Sequence, residues 1–219
     1  NMGFKDELDQ VLEVTPKELK LAAKLKCTSN LHDLKNCNFY IITVPTPVNE
    51  NNEPIGLILK MEAHEKGILH RAFSVFIFNN QNQLMLQQRA RSKYHSPGLW
   101  TNTCCSHQRV GESNIQAGQR RLQEEMGFNT ELKDSISFIY KASFDNGLTE
   151  HELDHILIGN YNDDPVINEK EVADWKWIDI EVLKSQLSQS PDKFTAWFKI
   201  IFSKFYDNLN VINDESNSK

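Results

Sequence analysis

Ser96–Phe128 reads SPGLWTNTCCSHQRVGESNIQAGQRRLQEEMGF, and its second half decides the fold. Gly111-Glu112-Ser113 opens a helix that runs from about Ser113 to Met126, and Gly127 supplies the stop signal. Ahead of that helix lie an adjacent cysteine pair, Cys104 and Cys105, and then His107. On the helix lie Arg120, Arg121, Glu124 and Glu125. Thiol, imidazole, guanidinium and carboxylate gathered in one stretch point to a reaction centre rather than a plain surface.

On the amino-terminal side, HRAFSVFIF (70–78) alternates and is rich in Phe, Val and Ile, which makes it a strand. NNQNQ is a hairpin turn, QLMLQQR (83–89) the returning strand, and LILKMEAHEKG (57–67) a lead-in. LWTNTCC (99–105) is a short extended run in which neighbouring side chains face opposite ways. Only one of Cys104 and Cys105 therefore faces a site, and Cys104 is assigned to the core. On the carboxy-terminal side, SISFIYKASF (135–144) and ELDHILIGNY (152–161) are strands, DWKWID another, and IEVLKSQL a helix. The last helix, within 192–209, spaces Phe194, Trp197, Phe198, Ile201 and Phe205 by threes and fours, so one apolar face docks. Strands broken by helices of unequal length, with hairpins, imply an α+β fold, a mixed sheet sandwiched between helices.

Composition narrows the function. A net charge of -6 without a dense Lys/Arg run argues against nucleic acid. No apolar run is long enough to span a bilayer, and NMGFKDELDQ lacks a signal-peptide core, so a cytoplasmic protein with no membrane partner is expected. Four cysteines, two of them adjacent, suit reduced thiols better than a disulfide framework. Composition leaves the oligomeric state open.

Two sets of residues carry candidate chemistry. His64, His70 and His107 sit on separate segments, and Glu150 and Glu152 alternate, so both point to one face of an extended run. Three imidazoles and two carboxylates suit a divalent transition metal. His32, His95, His151 and His155 are equally available on chemistry alone. Tyr140 and Trp197 would, by themselves, read as core aromatics.

The stretch Gly111–Phe128 resembles the Nudix signature, with Arg120-Arg121-Leu122-Gln123-Glu124-Glu125-Met126-Gly127-Phe128 as its tail and Glu112 at the earlier acidic position. Arg121 stands where Nudix hydrolases use a metal-binding carboxylate, and positive charge there favours holding a diphosphate over cleaving it. From Pro54 to Asn208 the chain is similar to type I isopentenyl-diphosphate isomerases. HRAFSVFIFN, QQRARSK, SPGLWTNTCCSH, GESN, FIYKA, EHE and TAWFKII carry the likeness, in order.

That resemblance implies a Nudix-type sheet and an isomerase of isopentenyl and dimethylallyl diphosphate; a Nudix hydrolase of a nucleoside or prenyl diphosphate is the alternative. It implies Cys105 and Glu152 as the acid/base pair, with Tyr140 assisting and Trp197 against a cationic carbon. His64, His70, His107, Glu150 and Glu152 would hold one divalent metal (Mn, Zn or Mg), and Glu125 a second, Mg²⁺, arriving with the substrate. Lys60, Arg89, Lys93 and Arg121 would clamp the diphosphate of that small-molecule substrate. The aromatic carboxy-terminal helix is expected to act as a lid.

Residues 3–53 differ in character. EVTPKELKLAAKLK, with a helix from Pro16 to about Leu25, and LKNCNFYIITVPTPV, with a strand in 39–48 halted by Pro45 and Pro47, are similar to an internal piece of nucleotide-sugar dehydrogenases. No G-x-G-x-x-G is present to seat a pyrophosphate, so no dehydrogenase activity is expected. The expected organisation is an extension (1–53), the Nudix-like domain (54–208) and a polar tail (209–219).

Overall fold

A computed structural model describes residues 46–56, 58, 60–93, 95–109, 111–143 and 147–205, without the side chains of Lys60 and Met61. The helix expected from Pro16, most of the strand expected over 39–48, His32 and the tail 209–219 lie outside the described residues.

Strand β1 (His70–Phe78) is the axis of a seven-stranded mixed sheet. It pairs antiparallel with β2 (Leu84–Arg89) and β4 (Cys104–Ser106), and parallel with β6 (Thr149–Asn160). Beyond these lie β3 (Trp100–Thr101) and β7 (Val172–Ile178) on β2, and β5 (Leu132–Ser143) on β6.

The pleat of β1 divides the core in two. Phe73, Val75 and Ile77 project to the face covered by helix α2 (Asn114–Met126), where they meet Leu122 and Met126. Phe76 and Phe78 project to the other face, against Ile156, Leu183, Phe198 and Ile201. Each such side chain contributes about 1.5–3 kcal/mol of burial free energy, so the strand is held from both sides. Helix α2 approaches the sheet closely because Gly118 has no side chain; a Cβ there would lie 2.6 Å from Leu157 Cδ1. Ser113 caps α2 reciprocally with Gln116, and Gly127 ends it at φ 73°.

The structure adds detail that periodicity did not carry. The lead-in 57–67 contains a helix, α1 (Lys60–Lys66), built of good helix formers and closed by Gly67 at φ 59°. The run 99–105 divides into β3 and β4, with Asn102 donating to the carbonyls of Val75 and Cys104 at the bend. Helix α3 (Ile180–Gln189) forms behind the Asp179 cap. The final helix, α4, begins at 196 after a 3-10 turn (Pro191–Lys193), so Phe194 lies outside it and bridges to Trp100 instead. Residues 46–53 pack on the domain: Pro47 bridges to His70, and Val48 is buried.

Candidate active site

Register assembles the first half of the site. The parallel β1–β6 ladder sets His70 beside Glu152, and the antiparallel β5–β6 ladder sets Tyr140 on the far side of Glu152. Helix α1 brings His64, and the segment after β4 brings His107. One ligand atom from each of His64, His70, His107 and Glu152 lies within 4.8 Å of the others. His107 Nε2 is 3.1 Å from both His70 Nε2 and Glu152 Oε1. His70 Nδ1 is 2.8 Å from the carbonyl of Ile68, which only accepts, so Nδ1 carries a proton and Nε2 is the atom left to offer a lone pair to a metal at the centre. This is the tautomer a metal requires, fixed by a backbone partner as metal-binding histidines usually are.

Glu152 lies in a tug between two effects. Burial works against its charge, but hydrogen bonds and charge from His107 and His70 outweigh it and hold the carboxyl well below the usual range. Tyr140 donates to Glu152 Oε2 at 2.6 Å and also lies 3.0 Å from Glu150 Oε2. Burial, then the charges of Glu152 and Glu150, push its hydroxyl well above the usual range, so it stays a donor. Glu150 is thus a neighbour of the tight four-residue group rather than a member of it.

In the same pocket, Cys105, which pairs with Ser74 on β1, contributes to the lining, while Cys104 is fully buried in the α2 core. Burial, opposed by Arg89 and reinforced by Glu125, Glu152 and Glu150, pushes the Cys105 thiol up to about 12. It therefore carries its proton at neutral pH. Trp197, on α4, walls the same pocket and receives the Arg89 guanidinium over its ring at 5.2 Å. His95 meets Trp197 edge-on at 5.4 Å, and its Nε2 lies 3.6 Å from Glu150.

The cationic end lies beyond Cys105. Arg121 reaches in from α2, donating to Glu124 at 2.7 Å, to Glu125, and to Glu171 at 3.2 Å. Burial lowers its proton affinity, but these carboxylates raise it further. Lys93 also donates to Glu171, and Arg89 donates to the carbonyl of His95 at 3.2 Å. Glu125 is buried and accepts from Gln87 at 2.7 Å. The Nε atoms of Arg89 and Arg121 are buried with no hydrogen-bond partner among the described residues.

Every residue that the resemblance assigned to the site and whose side chain is described, apart from His70, lines this one pocket, and His70 adjoins it through His107. The Lys60 side chain lies outside the described residues. His151 is elsewhere, 2.9 Å from the carbonyl of Gly67, and His155 faces Asp134. Sequence reasoning missed Gln87 and Glu171, and left His95 unassigned. Glu171 sits in an ordinary polar turn, and only its neighbours give it meaning. The helix expected as a lid is docked over its described part, with Phe198 and Ile201 fully buried and Trp197 on the pocket.

Residues 68–198 match the family described as NUDIX domain. The fold is shared with DR0079 from Deinococcus radiodurans, whose crystal structure aligns at a TM-score of 0.56 and 21% identity, covering 68% of this chain and 90% of that one. Among curated proteins, the isopentenyl-diphosphate Delta-isomerase of Serratia proteamaculans is 51% identical over 154 residues, 70% of this chain and 86% of the relative. Isopentenyl-diphosphate Delta-isomerase 2 of Photorhabdus laumondii is 50% identical over 156 residues, 71% and 88% of the two chains. The expected likeness of residues 3–53 to a dehydrogenase fragment is not borne out by these comparisons. Among the described residues no helix is long and apolar enough to cross a membrane. A Nudix fold in which arginine has entered the signature helix, matched at about half identity over most of the length of both relatives, places this chain in the isopentenyl-diphosphate Delta-isomerase branch of the Nudix family.

Proposed function

We propose that the chain interconverts isopentenyl diphosphate and dimethylallyl diphosphate by adding a proton at the terminal methylene and removing one from C2. The observation that carries this reading is that Cys105 and the Tyr140–Glu152 pair line one pocket together with Arg89, Lys93 and Arg121. Such a reaction needs two proton-exchanging groups along a short apolar chain and an anchor for its diphosphate. Cys105 offers a protonated thiol, and Glu152 a carboxylate steered by the Tyr140 hydroxyl.

Charge develops on carbon between those groups. Trp197 already holds a guanidinium against its ring, and the same quadrupole supports a cationic carbon. Buried walls made by Tyr140 and Trp197 keep water from trapping that cation. Arg89, Lys93 and Arg121, which line the pocket together, hold the diphosphate. Lys60 is assigned to the same clamp.

The donor set fits a divalent cation, since three imidazoles and a carboxylate converge and His70 has the right tautomer. His64, His70, His107 and Glu152 would hold it as Mn²⁺, Zn²⁺ or Mg²⁺, with Glu150, the other carboxylate on the Tyr140 hydroxyl, as the fifth ligand that the resemblance implies. When bound it supplies positive charge that fixes the Glu152 carboxylate. Glu125 would hold a second cation, Mg²⁺, that comes with the diphosphate.

The test is the product. Incubation with isopentenyl diphosphate in D₂O should give dimethylallyl diphosphate and deuterium in recovered substrate, without released phosphate. Cys105→Ser or Glu152→Gln should each cut the exchange by about 10² or more. Phosphate without allylic product would instead identify a hydrolase.

A further inference from the structure

Glu171 is a carboxylate at the diphosphate end that the proposed reaction does not use. It precedes β7, yet its side chain accepts from both Lys93, in the loop after β2, and Arg121, on α2. The Arg121 nitrogen that reaches Glu171 also donates to Glu125, and its other terminal nitrogen donates to Glu124. Lys93, Arg121, Glu125 and Glu171 all line the pocket, and the side chains of all four are at most 17% exposed. Two cations therefore face two carboxylates in a setting that water screens poorly, with Glu124 adding a third carboxylate at the rim. Arg89 differs, since its partner there is a neutral carbonyl.

This balance has a chemical consequence. Counting Arg89, three cations among the described residues face Glu125, Glu171 and Glu124, so a bare diphosphate brings several negative charges to a cluster that is already neutral. A divalent cation travelling with it removes two of those charges, and the complex then fits. Without Glu171 the same cluster would hold a surplus positive charge and accept the bare anion readily.

We infer that Glu171 is a specificity-determining residue: by neutralising Lys93 and Arg121 it makes the pocket take diphosphate as its divalent-cation complex in preference to the free anion. The inference rests on the assignment of Lys93 and Arg121 to the diphosphate.

The experiment is calorimetric titration of inorganic pyrophosphate into wild type, Glu171→Gln and Glu171→Asp, each with and without Mg²⁺. Wild type should bind the Mg²⁺ complex at least about tenfold more tightly than the free anion. Glu171→Gln, which keeps the shape and loses the charge, should bind Mg²⁺-free pyrophosphate about tenfold more tightly than wild type, so that the preference collapses. Glu171→Asp should keep the preference. Unchanged or weaker Mg²⁺-free binding in Glu171→Gln, or an Asp variant that behaves like Gln, would overturn the inference and leave the diphosphate assignment standing. If wild type binds neither form, the diphosphate assignment itself fails, and the inference with it.

Discussion

Tyr140 stands directly across the β5–β6 ladder from Glu152 and donates its hydroxyl to that carboxylate at 2.6 Å. One phenolic hydrogen lies between two acids, Glu150 and Glu152, so the hydroxyl orients Glu152 while remaining unionised. Tyr140→Phe removes that donor and keeps the ring in the core. We expect kcat to fall by about 10² with metal content unchanged, read by product assay and elemental analysis. An unchanged kcat would assign Tyr140 to packing alone.

The state of Cys105 is open to direct measurement. With its thiol pushed up to about 12, alkylation by iodoacetamide should be slow at neutral pH and should keep accelerating with pH, without levelling off near 9. Mass spectrometry of the Cys105 peptide reads this. The linkage has a definite sign. A thiol whose folded pKa lies above its ordinary value contributes stability that is full below about pH 9 and fades as the pH climbs toward 12. Cys105→Ser should lose that part of the alkaline destabilisation in a melting series.

Metal binding should register as stability. A divalent cation that binds only the folded chain, at about a hundred times its Kd, adds about 2.7 kcal/mol. For a chain of this size that is a rise in Tm of roughly 5–10 °C. His70→Ala and His107→Ala should abolish the shift, because each removes one of the converging nitrogens. An equal shift in those variants would place the metal elsewhere.

Gly127→Ala tests the end of the signature helix. The residue sits at φ 73°, and a Cβ there would lie 2.3 Å from the carbonyl oxygen of Val166, which is backbone and yields little. Left-handed strain of about 1–2 kcal/mol adds to that clash, so a loss above about 2 kcal/mol is expected in urea denaturation. A loss below about 0.5 kcal/mol would mean that the turn at Val166 adapts freely.

Much of this site was legible because its strands announce their faces. Glu150 and Glu152 alternate, and the structure puts both on the pocket; Cys104 and Cys105 are neighbours, and only Cys105 lines it. The stop at Gly127 carried its own signal. Three-dimensional neighbours did not. Which histidines converge depends on the register of β1 against β6, which no local pattern encodes. His95 and Glu171 acquire partners only when the loop after β2, helix α2 and the turn before β7 meet. Helix α1 was obscured because its flanks are apolar and it spans only seven residues.

The parallel pairing of β1 with β6 also says something about how the chain reaches its working form. Ser74 and Asp154, hydrogen-bonded across that seam, are 80 residues apart, and His70 and Glu152 close the same seam at its edge. Pairing of such long sequence separation is slow, because loop closure must precede the contacts that reward it. Hairpin β1–β2 and helix α2 can form from local signals, but neither brings together His70 and Glu152. A nascent or partly unfolded chain therefore lacks the proposed metal ligands and the proposed proton-exchanging pair at once, and metal uptake during refolding should follow the slowest folding phase.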